Sequence, residues 1–259
     1  MNRRSFMAMT GAAAALGGAG AAAQESAPAS GREYYDLKRY ILETDAQRAG
    51  LDAFLAEAAL PALERHGFGP VGVFADPEDI SPVHVLIRHE RPDTLATLHH
   101  TLGADAEFME KGAAFLNAPS SGPAYARIES SLLYAFGGMP KMERPSDVPG
   151  RVFQLRTYES PSVLTGQKKI EMFDTAEIAI FRKTGLKPVF FGEALVGEKL
   201  PNLTYMLCFD SRDEQNAAWK TFLQDPEWKE LSGRPEYAND RILSGITNLN
   251  LVPTAYSQL

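Results

Sequence analysis

One pattern of residues occurs twice in the chain. Tyr35-Asp36-Leu37-Lys38-Arg39-Tyr40 and Phe153-Gln154-Leu155-Arg156-Thr157-Tyr158 share the order aromatic, polar, Leu, basic, polar, Tyr, with starts 118 positions apart. Gly67-Phe68-Gly69-Pro70-Val71 and Gly185-Leu186-Lys187-Pro188-Val189 repeat at the same offset of 118. Asp105-Ala106-Glu107-Phe108 and Asp225-Pro226-Glu227-Trp228 follow at 120. A unit this long is a domain rather than a solenoid repeat, so the fold must be one that two copies of the same unit can build. Gly137-Gly138-Met139-Pro140, Pro145 and Pro149 lie between the copies and have the composition of a linker. The expected organisation is residues 32–136, a linker over 137–150, and residues 151–259.

Each copy predicts the same elements. A short alternating run opens it, carrying Tyr35 and Leu37 or Phe153 and Leu155. A helix follows, with Leu51, Phe54, Leu55, Ala58, Ala62 and Leu63 on one face in the first copy, and Ile170, Phe173, Ile180 and Phe181 in the second. Pro61 should kink or split the first of these helices, and Gly67 and Gly185 should stop them. Two strands come next, at 69–75 with 82–89 and at 188–196 with 202–209. A helix at 92–102 or 212–223, a short helical segment and a last strand at 126–135 or 242–251 complete each unit. The order β-α-β-β-α-β is that of the ferredoxin-like unit, an α+β arrangement.

The strand at 203–209 says how two units meet. Leu203, Tyr205, Leu207 and Phe209 alternate with Thr204, Met206 and Cys208, and neither face carries a charge. A sheet apolar on both faces is covered on both. Helices cover one face of a four-stranded sheet, so the other should meet the second sheet. The expected fold class is two tandem ferredoxin-like units packed sheet to sheet, a dimeric-α/β-barrel-type pseudo-dimer, with two separate ferredoxin-like domains as the alternative.

The first residues are a different material. Arg3 and Arg4 precede a small, weakly apolar run from Met7 to Ala23, and Ala21-Ala22-Ala23 meets Gln24 in an A-x-A-like pattern. This is the build of a secretory signal over residues 1–23 followed by a short linker, 24–31, rather than of a membrane span. Arg3, Arg4 and Phe6 resemble the twin-arginine export signal. Recognition by export machinery, cleavage at Ala23–Gln24 and a periplasmic or extracellular mature protein with no stable membrane insertion are the expectations. Gly18-Ala19-Gly20-Ala21-Ala22-Ala23 fits G-x-G-x-x-A, but it lies in this leader rather than between a strand and a helix, where a dinucleotide site requires it.

Charge and cysteine content narrow the function. The chain has 26 Lys and Arg against 33 Asp and Glu, a net −7, and losing Arg3 and Arg4 with the leader gives −9. An acidic chain with no basic cluster is a poor partner for nucleic acid. The single Cys208 excludes an internal disulfide framework and Cys-rich metal sites. Its apolar strand neighbours mark a buried, inert thiol.

Gln154-Leu155-Arg156-Thr157-Tyr158-Glu159, the helix ending at Gly185 before Lys187-Pro188-Val189, Leu203-Thr204-Tyr205-Met206-Leu207, and Trp219 with Asp225-Pro226-Glu227-Trp228 resemble the NIPSNAP family. The likeness covers nearly all of the chain after the leader and is fuller in 151–259. The first copy resembles a weakened version, with His99 near the place of Trp219 and Phe108 at that of Trp228. The resemblance implies the dimeric α/β barrel and brings no catalytic motif. Barrels of this type serve monooxygenases, haem-processing enzymes and binding proteins alike. The leading expectation is a small apolar ligand in the barrel pocket. The alternatives are a cofactor-free or haem-dependent monooxygenase-like enzyme, or a non-catalytic structural or interaction module. Haem is compatible with the sequence without being required by it, and a homo-oligomer is open.

Few residues suggest chemistry. His66, His84, His89, His99 and His100 have no metal-ligand spacing, so no metal is expected. His84 and Arg88 share a strand face and His89 takes the other. Glu177 falls inside the apolar stripe of its helix, between Phe173 and Phe181, where desolvation should raise its pKa. Tyr158, Phe190, Tyr205, Trp219 and Trp228 are candidates to line an apolar pocket. The expected binding site lies between the second sheet and its first helix. Glu177, Tyr205, Tyr158 and Arg156 are its polar groups, and Glu177 is the expected partner of the Tyr205 hydroxyl.

Overall fold

The computed structural model of the protein describes residues 31–259. The export motif Arg3, Arg4 and Phe6 and the cleavage point at Ala23–Gln24 lie outside the described residues. The first half runs β1 (Tyr34–Ile41), α1 (Asp45–Phe54), a π-turn (Leu55–Ala59), α2 (Leu60–Arg65), β2 (Val71–Ala75), β3 (Val83–His89), α3 (Pro92–Gly103), α4 (Ala106–Lys111), α5 (Ala113–Leu116) and β4 (Arg127–Ala135). The second runs β5 (Val152–Glu159), α6 (Val163–Met172), a π-turn (Phe173–Glu177), α7 (Ile178–Lys183), β6 (Lys187–Val196), β7 (Asn202–Phe209), α8 (Arg212–Gln224), α9 (Pro226–Ser232), α10 (Asn239–Ile242) and β8 (Gly245–Pro253).

Among the described residues the strands close into one antiparallel barrel in the order β1-β3-β2-β8-β5-β7-β6-β4. Within it, β4-β1-β3-β2 and β8-β5-β7-β6 are the same ferredoxin-like order written twice. Each half's second strand pairs with the other half's fourth. The β4–β6 seam joins Leu132↔Val196 through Ala135↔Gly192, and the β2–β8 seam joins only Phe74↔Pro253 and Ala75↔Val252. The two expected sheets are therefore one continuous wall.

Helix starts follow their capping residues. Thr44 accepts from the Gln47 N–H at the start of α1, Ser162 and Thr165 form a capping box at α6, and Ser211 accepts from Glu214 at α8. Gly67 and Gly185 end α2 and α7 with φ of 80° and 88°, the left-handed conformation that glycine adopts without strain. The helix through Pro61 does not break. It runs on through the π-turn, and Pro61 is the second residue of α2, directly after that turn. Proline does not cause that turn, because the second half makes the same turn 118 residues later with Ala179 in the place of Pro61.

Strand alternation sorts the core into three parts. Tyr35, Leu37, Phe74, Leu86, Leu133, Phe153, Phe190, Met206 and Leu251 come from all eight strands and fill the barrel interior. Leu51, Leu55, Leu63, Val83, Val85 and Ile87 pack between the first half's sheet and its helices. Phe173, Phe181, Phe191, Leu203, Tyr205 and Leu207 do the same in the second. Cys208 is buried in the barrel interior, and that burial pushes its thiol up to about 12. Phe190 also faces the interior, so it does not join Tyr158, Tyr205, Trp219 and Trp228 on the helix side.

Candidate functional site

The four residues singled out in the second half do come together. The Tyr158 and Tyr205 hydroxyls are 3.0 Å apart, and the Arg156 guanidinium donates to Tyr158 Oη at 3.1 Å. Arg156 also lies 4.6 Å over the Trp219 ring, whose Nε1 donates to Gln154 Oε1 at 2.8 Å. Glu177 is buried at 2% exposure, as its place in the stripe requires. Its partner is not Tyr205. The carboxylate accepts from Lys169 Nζ at 2.8 Å, and Lys169 is itself 2% exposed. Burial pushes the Glu177 carboxyl up, against the pull of the Lys169 ammonium and of Arg156. Tyr205 is raised well above its ordinary value by burial and by Tyr158.

Lys169 is the residue that sequence reasoning missed. It stands in an aromatic surround, 4.6 Å from the Phe173 ring, 5.6 Å from Tyr158 and 5.9 Å from Trp228, with Met172 Sδ at 3.3 Å. A buried ammonium is held there by a carboxylate and by ring faces. The signal was a spacing of four: Lys169, Phe173, Glu177 and Phe181 descend one stripe, so an opposite charge pair shares the apolar face. Phe173, Phe181, Phe191 and Tyr205 then pack ring against ring, with centroids 5.1–5.9 Å apart for Phe191–Tyr205, Phe173–Tyr205 and Phe181–Tyr205. Side chains fill the space beside Tyr205.

The equivalent space in the first half is open. At the matching register, Lys169 is replaced by Leu51, Phe173 by Leu55, Glu177 by Ala59, Tyr205 by Val85, Trp219 by His99 and Trp228 by Phe108. All but the first of these exchanges lose bulk or aromatic surface. A cleft of about 210 Å³ lies there, bounded by Leu55, Ala59, Leu63, Val85, Leu98 and Phe108. Lys38, Tyr40, His99 and Tyr125 are its polar side chains. Lys38 Nζ is 2.8 Å from Asp36 Oδ2, and Ser130 Oγ donates to Asp36 Oδ1 at 2.5 Å, so the charge at the sheet is balanced. Burial, then Asp36 and Tyr125, push the Tyr40 phenol up. An apolar wall with a few polar side chains binds an apolar body and orients it.

The histidines divide by face. His84 points into the barrel, His89 is buried beside Phe68 and Thr94, His99 is exposed on α3 at the edge of the first-half cleft, and His100 is exposed on the same helix. Among the described residues no three His, Cys, Asp or Glu side chains gather into a metal-binding group. No helix among them is long and apolar enough to cross a membrane.

Comparison with known proteins bears on the second half first. Residues 153–258 match the NIPSNAP family. No curated protein matches the chain. Among solved structures, a candidate monooxygenase from Lactobacillus acidophilus NCFM superposes with a TM-score of 0.57 at 9% identity, covering 86% of this chain and 94% of its own. An anthrone oxidase-like protein gives 0.51 at 9% identity, covering 86% and 92%. A NIPSNAP family protein from Agrobacterium tumefaciens str. C58 is 18% identical over 42% of this chain and 98% of its own, with a TM-score of 0.38. The two longer matches show a shared barrel fold across both halves of this chain.

Proposed function

We propose that the protein is an exported, duplicated NIPSNAP-type barrel that binds a compact apolar molecule between the first half's sheet and its helices. The observation that carries this is the cleft of about 210 Å³ at the place where the NIPSNAP half packs Tyr205 and the Lys169–Glu177 pair. The NIPSNAP half then serves as the rigid partner that closes the barrel. Export rests on Arg3, Arg4 and Phe6 and on the Ala23–Gln24 junction. Replacing both arginines with lysine should hold the protein in the cytoplasm, and normal export of that variant would remove this part of the reading.

The ligand is small. A volume of about 210 Å³ exceeds the roughly 150 Å³ of an apolar cavity that takes benzene and falls below the roughly 300–1,000 Å³ that drug-sized ligands occupy. One ring or a short chain fits it. The names of the fold neighbours raise an oxygenase as the rival, and such an enzyme would consume dioxygen along with its bound substrate.

Titration with toluene, followed through the ring nitrogens of His99, tests the reading. Saturable shifts are expected, and Val85→Phe, which puts a ring into the cleft, should abolish them while leaving the fold intact. A wild-type His99 that does not respond would overturn it.

A further inference from the structure

We infer that the barrel interior holds a second binding site, built around His84, for a small uncharged molecule bearing a hydroxyl group. The barrel is filled at one end by Tyr35, Phe74, Phe153, Phe190, Met206 and Cys208. At the other end, where β1 and β5 finish, it opens as a pocket of about 230 Å³. Leu37, Leu155 and Leu249 form the pocket's apolar floor.

The walls are related by the repeat but differ in chemistry. Thr157, Thr204 and Thr247 occupy neighbouring strands of the second half, and their register partners in the first half are Arg39, His84 and Glu129. The Thr157 and Thr204 hydroxyls satisfy each other at 2.9 Å. Their counterparts do not. Arg39 turns to Glu129, with 2.6 Å between Nη1 and Oε2, and His84 is left alone. Its side chain is 1% exposed, and neither Nδ1 nor Nε2 has a hydrogen-bonding partner in the protein. A buried polar group without a partner is costly, so an imidazole aimed into a pocket marks a place where something else completes it.

The charges around the pocket set the ligand class. Arg39 is paired with Glu129 and Lys199 with Glu159 at 3.0 Å, which leaves Glu198 as the remaining charged lining residue. A neutral imidazole offers one donor and one acceptor. A hydroxyl is the complementary group, because it can give to one ring nitrogen or take from the other. The rest of the molecule lies on the three leucines.

The test uses the whole chain with histidine ring nitrogens labelled by 15N, and phenol as the probe, with toluene and benzoate as comparators. Phenol should shift the His84 nitrogens saturably and bind about tenfold more tightly there than toluene, the expected worth of one neutral hydrogen bond. Benzoate should not bind. His84→Leu should erase the preference for phenol. Thr247→Phe, which narrows the pocket from a half-buried lining position, should weaken phenol binding with His84 still present to report it, so the outcome does not hang on one variant folding. His84 nitrogens that stay still at saturating phenol, or that respond equally to toluene, would overturn the inference. His99 reports the first-half cleft in the same spectrum, so failure of either site is read separately from failure of the other.

Discussion

At the residue scale, the buried Glu177 carboxylate is held by Lys169 rather than by the Tyr205 hydroxyl. Both side chains are 2% exposed, so removing one charge strands the other in apolar surroundings. Glu177→Gln should cost about 3–5 kcal/mol in urea unfolding. Lys169→Leu combined with Glu177→Ala gives the second half the residues Leu51 and Ala59 of the first and should cost less than Glu177→Gln alone; a double variant as unstable as the sum of its singles would contradict a coupled pair. His84 makes a second prediction. Burial and then Arg39 hold its pKa at about 4, against 6.5 for free histidine. Between those values the unfolded chain takes up a proton that the folded chain refuses. Stability is therefore complete above pH 6.5 and falls as pH drops towards 4, by roughly 3 kcal/mol. The charged groups facing this region are Arg39 on β1, Glu129 on β4, and Glu198 and Lys199 after β6. They remain in His84→Leu, so the difference between the two pH curves isolates the histidine. Parallel curves would show that His84 is not held neutral. Glu177's burial was legible from its helical wheel, whereas its partner and the orphaned state of His84 depend on register between strands and helices far apart in sequence.

Elements were easier to read than contacts, because a strand's alternation is local. Leu203, Tyr205 and Leu207 against Thr204, Met206 and Cys208 already implied two covered faces, and those faces are the helix-side core and the barrel interior. The π-turns at Leu55–Ala59 and Phe173–Glu177 had no local signature. They make no break in the helix and show only in the hydrogen-bond pattern, yet they lie where Glu177 and Ala59 meet the sheet. The weak seam is another feature of this scale. Beyond its two β2–β8 residue pairs, β2 is fastened by the last residues. Val71 N–H donates to Gln258 Oε1 at 2.7 Å, Val73 N–H to Ser257 Oγ at 2.9 Å, and the backbone N–H groups of Thr254 and Gln258 donate back at 3.0 Å each. Deleting residues 254–259 should open this seam first. Hydrogen exchange should then speed up in β2 and β8 while β4 and β6 stay protected. Uniform exchange across both seams would contradict the asymmetry.

For the whole molecule, closure explains why neither half is self-sufficient. Each exposes one face of its sheet and two strand edges unless the other half covers them. Residues 151–259 expressed alone should therefore self-associate into a two-chain barrel, which sedimentation would detect; a stable monomer would contradict the pseudo-dimer account. The repeat was plain in the sequence at its fixed offset, and so was the barrel that follows from it. Which half keeps an opening was not, because that depends on how the aromatics of 151–259 pack against one another in the fold. Those same aromatics fill the space that Ala59, Val85 and His99 leave open in the first half. Volume lost at equivalent positions was the useful signal. That opening is the proposed ligand site. Native mass spectrometry of the protein purified from its own host, beside Val85→Phe prepared identically, tests it most directly. A retained small molecule is expected in the wild type and missing from the variant, with both proteins equally folded. A wild type without bound mass, or a variant that keeps the same molecule, would contradict it.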